Sequence, residues 1–296
     1  ITLTNATITS SQDVPAGAFT LPTGPQSSQG QFDHLPAFCR VMATLKPSVD
    51  SDIRIEVWMP VSGWNGKLQA VGNGAWSGVI SYQALATALA GGYAGASTDT
   101  GHRGNVASFA LGHPEQVVDM SYRAVHEMTV QAKAIIHAYY GNPPKISFWS
   151  GCSTGGRQGI TEAAKYPDDF DGIVVGAPAI HWINLNAARL MLNVFANRSP
   201  EAVIPPTKYP MIHEVVLKAC DALDGVKDGV IENPARCHFN PDVLACKGAD
   251  GPTCLTPAQV ETARAIYATV KNPRTGADVM PALLQPGTEL NWGNLT

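Results

Sequence analysis

The stretch Ile146-Ser147-Phe148-Trp149-Ser150-Gly151-Cys152-Ser153-Thr154-Gly155-Gly156-Arg157-Gln158-Gly159 decides how this chain folds. Its apolar start predicts a short buried strand over 146–149, and Gly151 to Gly155 predicts a tight turn. A helix should run from about 156 to 165, ended by Pro167 and the two aspartates after it. Gly172-Ile173-Val174-Val175-Gly176 then reads as another buried strand. Upstream, Val125, Met128, Ala132, Ile135 or Ile136, and Tyr139 recur at three- and four-residue steps, predicting a long helix over 119–140. Gly141, Pro143 and Pro144 close it. Helices and strands alternating at these lengths predict an α/β fold, with a parallel sheet sandwiched between helices.

Working outward, Ile53-Arg54-Ile55-Glu56-Val57-Trp58-Met59 alternates apolar and polar and stops at Pro60, the pattern of a half-buried strand. A shorter strand is predicted at 67–71, halted by Gly72-Asn73-Gly74, then a helix at 83–90 closed by Gly91-Gly92. An apolar strand at 93–98 runs into Asp99-Thr100-Gly101-His102. The character changes after Pro178. Helical pieces at about 182–195, 208–221 and 257–270 alternate with loops rich in proline and cysteine. This predicts a sheet domain over 1–179 and a mostly helical, loop-rich, lid-like domain over 180–296.

The 296 residues are 45% hydrophobic and only 15% charged, ample apolar material for a core. A net charge of −4 without any basic run argues against nucleic acid or an anionic membrane surface as partner. No apolar run approaches the roughly 18 residues of a membrane span. Ile1 opens directly into polar sequence, as expected of a cytosolic chain or of a processed product. Cys220, Cys237, Cys246 and Cys254 lie close together, a density that suits disulfides in an oxidising compartment. Zinc is the rival, yet there is no Cys-x-x-Cys pair and His238 is the one nearby histidine.

Gly151-Cys152-Ser153-Thr154-Gly155 matches Gly-x-Ser-x-Gly in the context that pattern needs, a strand before and a helix after. Such a turn holds the serine in strained backbone, so small neighbours are required. It aims the hydroxyl at the positive end of the following helix. Ser153 is therefore the candidate nucleophile, and the Thr154 backbone N–H a candidate oxyanion donor. The plainer alternative is a glycine-rich strand-to-helix connection. Val71-Gly72-Asn73-Gly74-Ala75-Trp76-Ser77-Gly78 offers a second donor, the Gly74 N–H, or else an ordinary turn.

Asp221, Asp224 and Asp228 lie within eight residues, among two sharply bending glycines. Hard oxygen ligands in a loop suit Ca²⁺, although the spacing is not that of an EF-hand and two consecutive Asp-Gly turns would read the same.

The nine residues from Gly151 to Gly159 resemble the signature of the tannase family, which includes feruloyl esterases and a PET-monoester hydrolase. Ser97 to His102, Val57-Trp58-Met59-Pro60 and Cys220 to Ile231 are similar to that family too. The resemblance implies an α/β-hydrolase fold with an inserted lid, acting on small aromatic esters or plant cell-wall phenolic esters in a secreted or periplasmic setting. It implies a catalytic order of Ser, Asp, His, with Ser153 first. The Asp and His are expected beyond Thr296, in a C-terminal remainder of the same polypeptide. A cysteine after that histidine should bond Cys152, leaving the partner of Cys152 outside this chain. The resemblance further implies Cys220–Cys237 and Cys246–Cys254 disulfides. It also implies a structural Ca²⁺ held by Asp221, Asp224 and Asp228 with the carbonyls of Val226 and Val230. Feruloyl esterase is the first reading and tannase the second. A hydrolase of synthetic aromatic monoesters comes third, and a non-catalytic, calcium-stabilised binding module is the rival. His102 and His181 are the candidates for an internal base, and His102 reads better as a rim histidine with a structural hydrogen bond. His113, His126 and His137 are assigned no catalysis, the last two reading as surface or packing residues of the long helix.

Overall fold

The computed structural model describes residues 1–22, 30–76 and 78–294. Ser77 and Thr296, both used in the sequence reading, lie outside them. The chain divides into two compact units, Ile1–Ala179 and Ile180–Thr296.

The first unit holds one sheet of seven strands: β1 (Ala6–Val14), β2 (Phe38–Leu45), β3 (Ile53–Pro60), β4 (Lys67–Val71), β5 (Ala94–Thr98), β6 (Ile146–Cys152) and β7 (Gly172–Gly176). The spatial order is β1-β2-β3-β5-β4-β6-β7. Strands β5, β4, β6 and β7 pair in parallel, as the helix–strand alternation predicts. The front half is antiparallel, so the sheet is mixed rather than parallel throughout. β1 and β2 carry little sequence signal. β1 is Ser/Thr-rich with no fully buried side chain, and β2 interrupts its apolar run with Arg40.

Helices α1 (Tyr82–Ala90), α3 (Ala124–Tyr140) and α4 (Thr154–Lys165) pack on the sheet, and the short α2 (Pro114–Val118) leads into α3. The strict alternation of β3 divides its neighbours between the two faces. Ile53, Ile55, Val57 and Met59 pack with Ala124, Val125, Met128 and Ile136 of α3. Trp58 joins Phe19, Phe32 and Phe38 with Leu85 and Leu89 of α1. Each such buried side chain contributes about 1.5–3 kcal/mol. Glu56 shares the Trp58 face and is buried. Arg40 donates to both its oxygens at 2.8 and 2.6 Å, and Trp58 Nε1 and Tyr82 Oη complete its shell at 2.9 and 3.0 Å.

The long helix differs from expectation at its start. It begins at Pro114 and passes through a π-type turn at Asp119–Arg123 before α3. There Arg123 donates to buried Asp119 and to Glu115, so the widened turn lets one guanidinium serve two carboxylates.

The second unit contains α5 (Trp182–Ala196), α6 (Tyr209–Cys220), α7 (Pro257–Ile266) and a small antiparallel pair, β8 (Val270–Lys271) with β9 (Asp278–Met280). α7 starts at a capping box between Thr256 and Gln259. It ends at Ile266 instead of continuing to 270, because Val270 is drawn into β8. Leu192, Ile212, Val216, Val260, Ile266 and Trp292 form the unit's own core. Cys220–Cys237 and Cys246–Cys254 are both bonded, across 17 and 8 residues, so the cysteines are spent on disulfides and not on zinc.

Candidate active site

Ser153 sits between the end of β6 and the first turn of α4 with φ 59° and ψ −116°. That backbone region costs a residue with a side chain about 1–3 kcal/mol and persists only where surroundings enforce it. Here they do. Ser153 N–H donates to the Gly176 carbonyl at 3.0 Å, while the Ser153 carbonyl accepts from Arg157 and Ala179 at 3.0 and 3.1 Å. The side chain is exposed. Gly151 lies so close to the first turn of α4 that a Cβ there would stand 2.4 Å from the Gly155 carbonyl oxygen.

The 72–76 loop is bound to the same helix. A Cβ on Gly72 would lie 2.5 Å from the Gly155 Cα, so the two backbones touch. Gly155 N–H donates to the Asn73 carbonyl at 2.8 Å. Gln158 accepts from the Asn73 N–H at 3.2 Å and donates to Asn73 Oδ1 at 3.0 Å. The Asn73 amide ties the other side to the Val79 and Thr98 carbonyls. Thr154 is buried and donates its hydroxyl to the Ala75 carbonyl at 2.7 Å. These bonds tie the loop to the first turn of the helix that Ser153 heads. The steric demand falls on Gly72; a Cβ on Gly74 would meet nothing within 4 Å.

His102 is buried on a neighbouring loop. Its Nε2 is 2.5 Å from the Trp76 carbonyl, its Nδ1 is 3.3 Å from Thr100 Oγ1, and its ring stacks on Phe109 at 3.9 Å. Asp99 accepts at Oδ1 from the Arg54 and Gly101 N–H groups, and burial pushes its carboxyl up to about 7. These bonds hold the β5 corner in shape. Cys152 is a free, exposed thiol and Cys39 a free, buried one, so the two do not pair with each other.

In the second unit, Asp221 Oδ1 accepts from the Asp228 and Gly229 N–H groups at 3.3 and 3.1 Å. Asp224 and Asp228 each accept from the N–H two residues on, those of Val226 and Val230. Gly225 and Gly229 make the bends with φ 98° and 84°. The donor set of carboxylates and carbonyls has the hardness calcium requires. Among the described residues, the groups gathered tightly enough to share one ion are two others. One is Cys246, Asp250 and Cys254, whose sulfurs are joined in a disulfide. The other is His126, Glu162 and Asp169, which come from separate elements and which no sequence spacing signalled.

Residues 39–295 match the model of the family described as tannase and feruloyl esterase. The chain belongs to the tannase and feruloyl esterase family. It is 42% identical over 299 residues to an uncharacterized esterase of Xanthomonas campestris pv. campestris, covering 99% of this chain and 51% of that protein. It is 39% identical over 258 residues to a probable feruloyl esterase B-2 of Aspergillus flavus, covering 85% of this chain and 48% of that protein. The crystal structure of feruloyl esterase B from Aspergillus oryzae superposes with a TM-score of 0.86 at 35% identity, over 98% of this chain and 58% of that one. Tannin acyl hydrolase from Aspergillus niger shares the fold, with a TM-score of 0.71 at 22% identity. Membership of the tannase and feruloyl esterase family establishes the α/β-hydrolase fold for this chain. The chain spans about half the length of the curated relatives it matches.

Proposed function

We propose that the protein carrying this chain is a carboxylic ester hydrolase acting on phenolic-acid esters, with Ser153 as its nucleophile. The observation that carries this reading is the backbone of Ser153. A strained, exposed serine at the head of a helix, braced by a second loop, is what acyl transfer needs and what a plain connection has no reason to hold. Ser153 Oγ adds to the ester carbonyl and passes its proton to an imidazole. The oxyanion is held by the Thr154 N–H and the Gly74 N–H. The alkoxide leaves with that proton, giving an acyl-enzyme, and water then releases the acid by the same steps reversed. The Asp and His belong to the C-terminal remainder of the polypeptide, with a cysteine there bonded to Cys152. The unit at 180–296 serves as the lid.

Secretion or periplasmic residence is supported by the two disulfides. No helix of the described residues is long and apolar enough to cross a membrane. A structural Ca²⁺ would be held by Asp221, Asp224 and Asp228 with the Val226 and Val230 carbonyls, and would neutralise three carboxylates beside the Cys220–Cys237 bridge. Calcium should raise the melting temperature of chelator-treated protein, and Asp221→Asn should abolish that rise; an unchanged melting temperature removes the ion from the account.

The activity is tested by comparing methyl ferulate with methyl gallate. Preference for ferulate, lost at least about 10³-fold in Ser153→Ala, supports the proposal. Preference for gallate moves the protein to the tannase reading. Failure to cleave either ester, with tight binding of the free acids, favours a binding module.

A further inference from the structure

Three side chains of the first unit meet away from Ser153 and away from the aspartate loop. His126 comes from α3, Glu162 from the last turn of α4, and Asp169 from the turn that leads to β7. His126 Nδ1 lies 2.7 Å from Asp169 Oδ2, and the ring is held flat against Tyr166 at 3.8 Å. Glu162 is fully buried, and both its carboxylate oxygens lack a hydrogen-bond donor. One ligand atom from each of the three lies within 4.8 Å of the others.

Two carboxylates this close repel unless a cation or a proton lies between them. Beyond the His126 imidazole itself, the neighbouring cations are engaged elsewhere. Lys133 Nζ is spent on the Asp169 backbone carbonyl at 2.6 Å, and the Lys165 ammonium sits over the Tyr122 ring at 4.3 Å. The position aggravates the need, since Glu162 stands at the negative end of the α4 dipole, where cations are favoured. The side chains of His126 and Asp169 keep 28% and 12% of their surface in solvent, which gives an ion a route to the buried carboxylate.

We propose that His126, Glu162 and Asp169 bind a divalent transition metal of the Zn²⁺ type, with water as a fourth ligand. One imidazole nitrogen with two carboxylates is a donor set suited to zinc and its neighbours rather than to calcium. The present 2.7 Å between His126 and Asp169 is hydrogen-bond spacing. Ligands at about 2.0–2.2 Å from a tetrahedral ion stand roughly 3.4 Å apart, so loading opens this pair by a side-chain rotation of Asp169. The ion would fasten α3, α4 and the turn before β7 together. Its competitor is a proton. Burial, reinforced by Asp169, pushes the Glu162 carboxyl well above the usual carboxylate range, and a shared proton would also quiet the repulsion.

The test uses the intact protein, stripped with chelator and then kept in saturating calcium so that the aspartate loop takes no part. Zinc is titrated calorimetrically and melting is followed with and without it; cobalt substitution reports the site by visible absorption. The expected result is one zinc per chain, a higher melting temperature, a visible cobalt band, and affinity lowered at least tenfold in both Glu162→Gln and His126→Gln. No zinc uptake by the wild type overturns the proposal, as does uptake by both variants equal to that of the wild type. A Glu162→Gln protein that melts like the wild type, with neither responding to zinc, assigns the cluster to a shared proton and likewise overturns it.

Discussion

Substituting Gly151 by Ala tests whether the elbow is packed as described. The added Cβ would stand 2.4 Å from the Gly155 oxygen, 2.5 Å from its carbonyl carbon and 2.9 Å from its Cα. Ordinary contact begins at 3.4 Å, so the intrusion is about 1 Å and every atom it meets is backbone. No side chain can swing aside. The first turn of α4 is fixed by the Gly155 N–H bond to Asn73 at 2.8 Å, by the Trp149 Nε1 bond to the Gly155 carbonyl at 3.0 Å, and by contact with Gly72. Overpacking of this kind costs about 1–3 kcal/mol, and a displaced Gly155 carbonyl strands the buried Trp149 N–H for about 1 kcal/mol more. A total of about 3 kcal/mol lowers the melting temperature by roughly 6–12 °C for a unit of this size. Because a 1 Å displacement also moves the Thr154 N–H, esterase activity should fall about 10²-fold in the surviving folded protein. Thermal unfolding by circular dichroism reads the first effect and methyl ferulate hydrolysis the second. Gly248→Ala, where a Cβ meets nothing within 4 Å, is the control and should melt within about 0.5 kcal/mol of the parent. A Gly151→Ala protein that melts with this control refutes the packing of strand end against helix start.

Three further outcomes follow from the same geometry. Ser153→Gly should gain about 1–3 kcal/mol in denaturant unfolding while losing ester hydrolysis, since glycine tolerates φ 59° and the strain is relieved. Arg40→Leu should lose about 3–5 kcal/mol in the same assay, because it leaves Glu56 buried without its bidentate partner. Burial pushes the Asp99 carboxyl up from the ordinary 3.8 to about 7, so the folded state binds its proton more tightly. Stability should therefore be fullest at low pH and fall as pH rises from about 4 to about 7, by at most about 4 kcal/mol. Urea unfolding of Asp99→Asn across that range should lack this slope.

What the sequence disclosed and what it withheld have physical causes. β3 and β4 are readable because each buries apolar side chains and ends at Pro60 or Gly72. β7 is readable from its apolar run between Gly172 and Gly176, yet it is half-buried and not the buried strand expected, with Val174 exposed. The elbow is readable because only small residues fit where β6 meets α4 and the 72–76 loop. β1 escaped because an edge strand of Thr and Ser relies on backbone pairing with β2, which leaves no apolar pattern. β2 escaped because Arg40 in its middle is neutralised by Glu56, a partner 16 residues away that periodicity cannot see. The resemblance of 151–159 pointed to Ser153, while the close approach of Gly72 to Gly155 comes only with the tertiary fold. From sequence His126 reads as a surface or packing residue of the long helix; Glu162 and Asp169, 36 and 43 positions later, come beside it only through the tertiary fold.

The account turns on whether the Ser153 hydroxyl carries the acyl group. The most direct measurement is reaction of the natural polypeptide with a serine-directed phosphonate, followed by intact mass and peptide mapping. One adduct per chain on the peptide containing Cys152-Ser153-Thr154, formed in step with loss of methyl ferulate hydrolysis, is the expected result. An adduct on any other residue, or full inactivation with Ser153 unmodified, contradicts it.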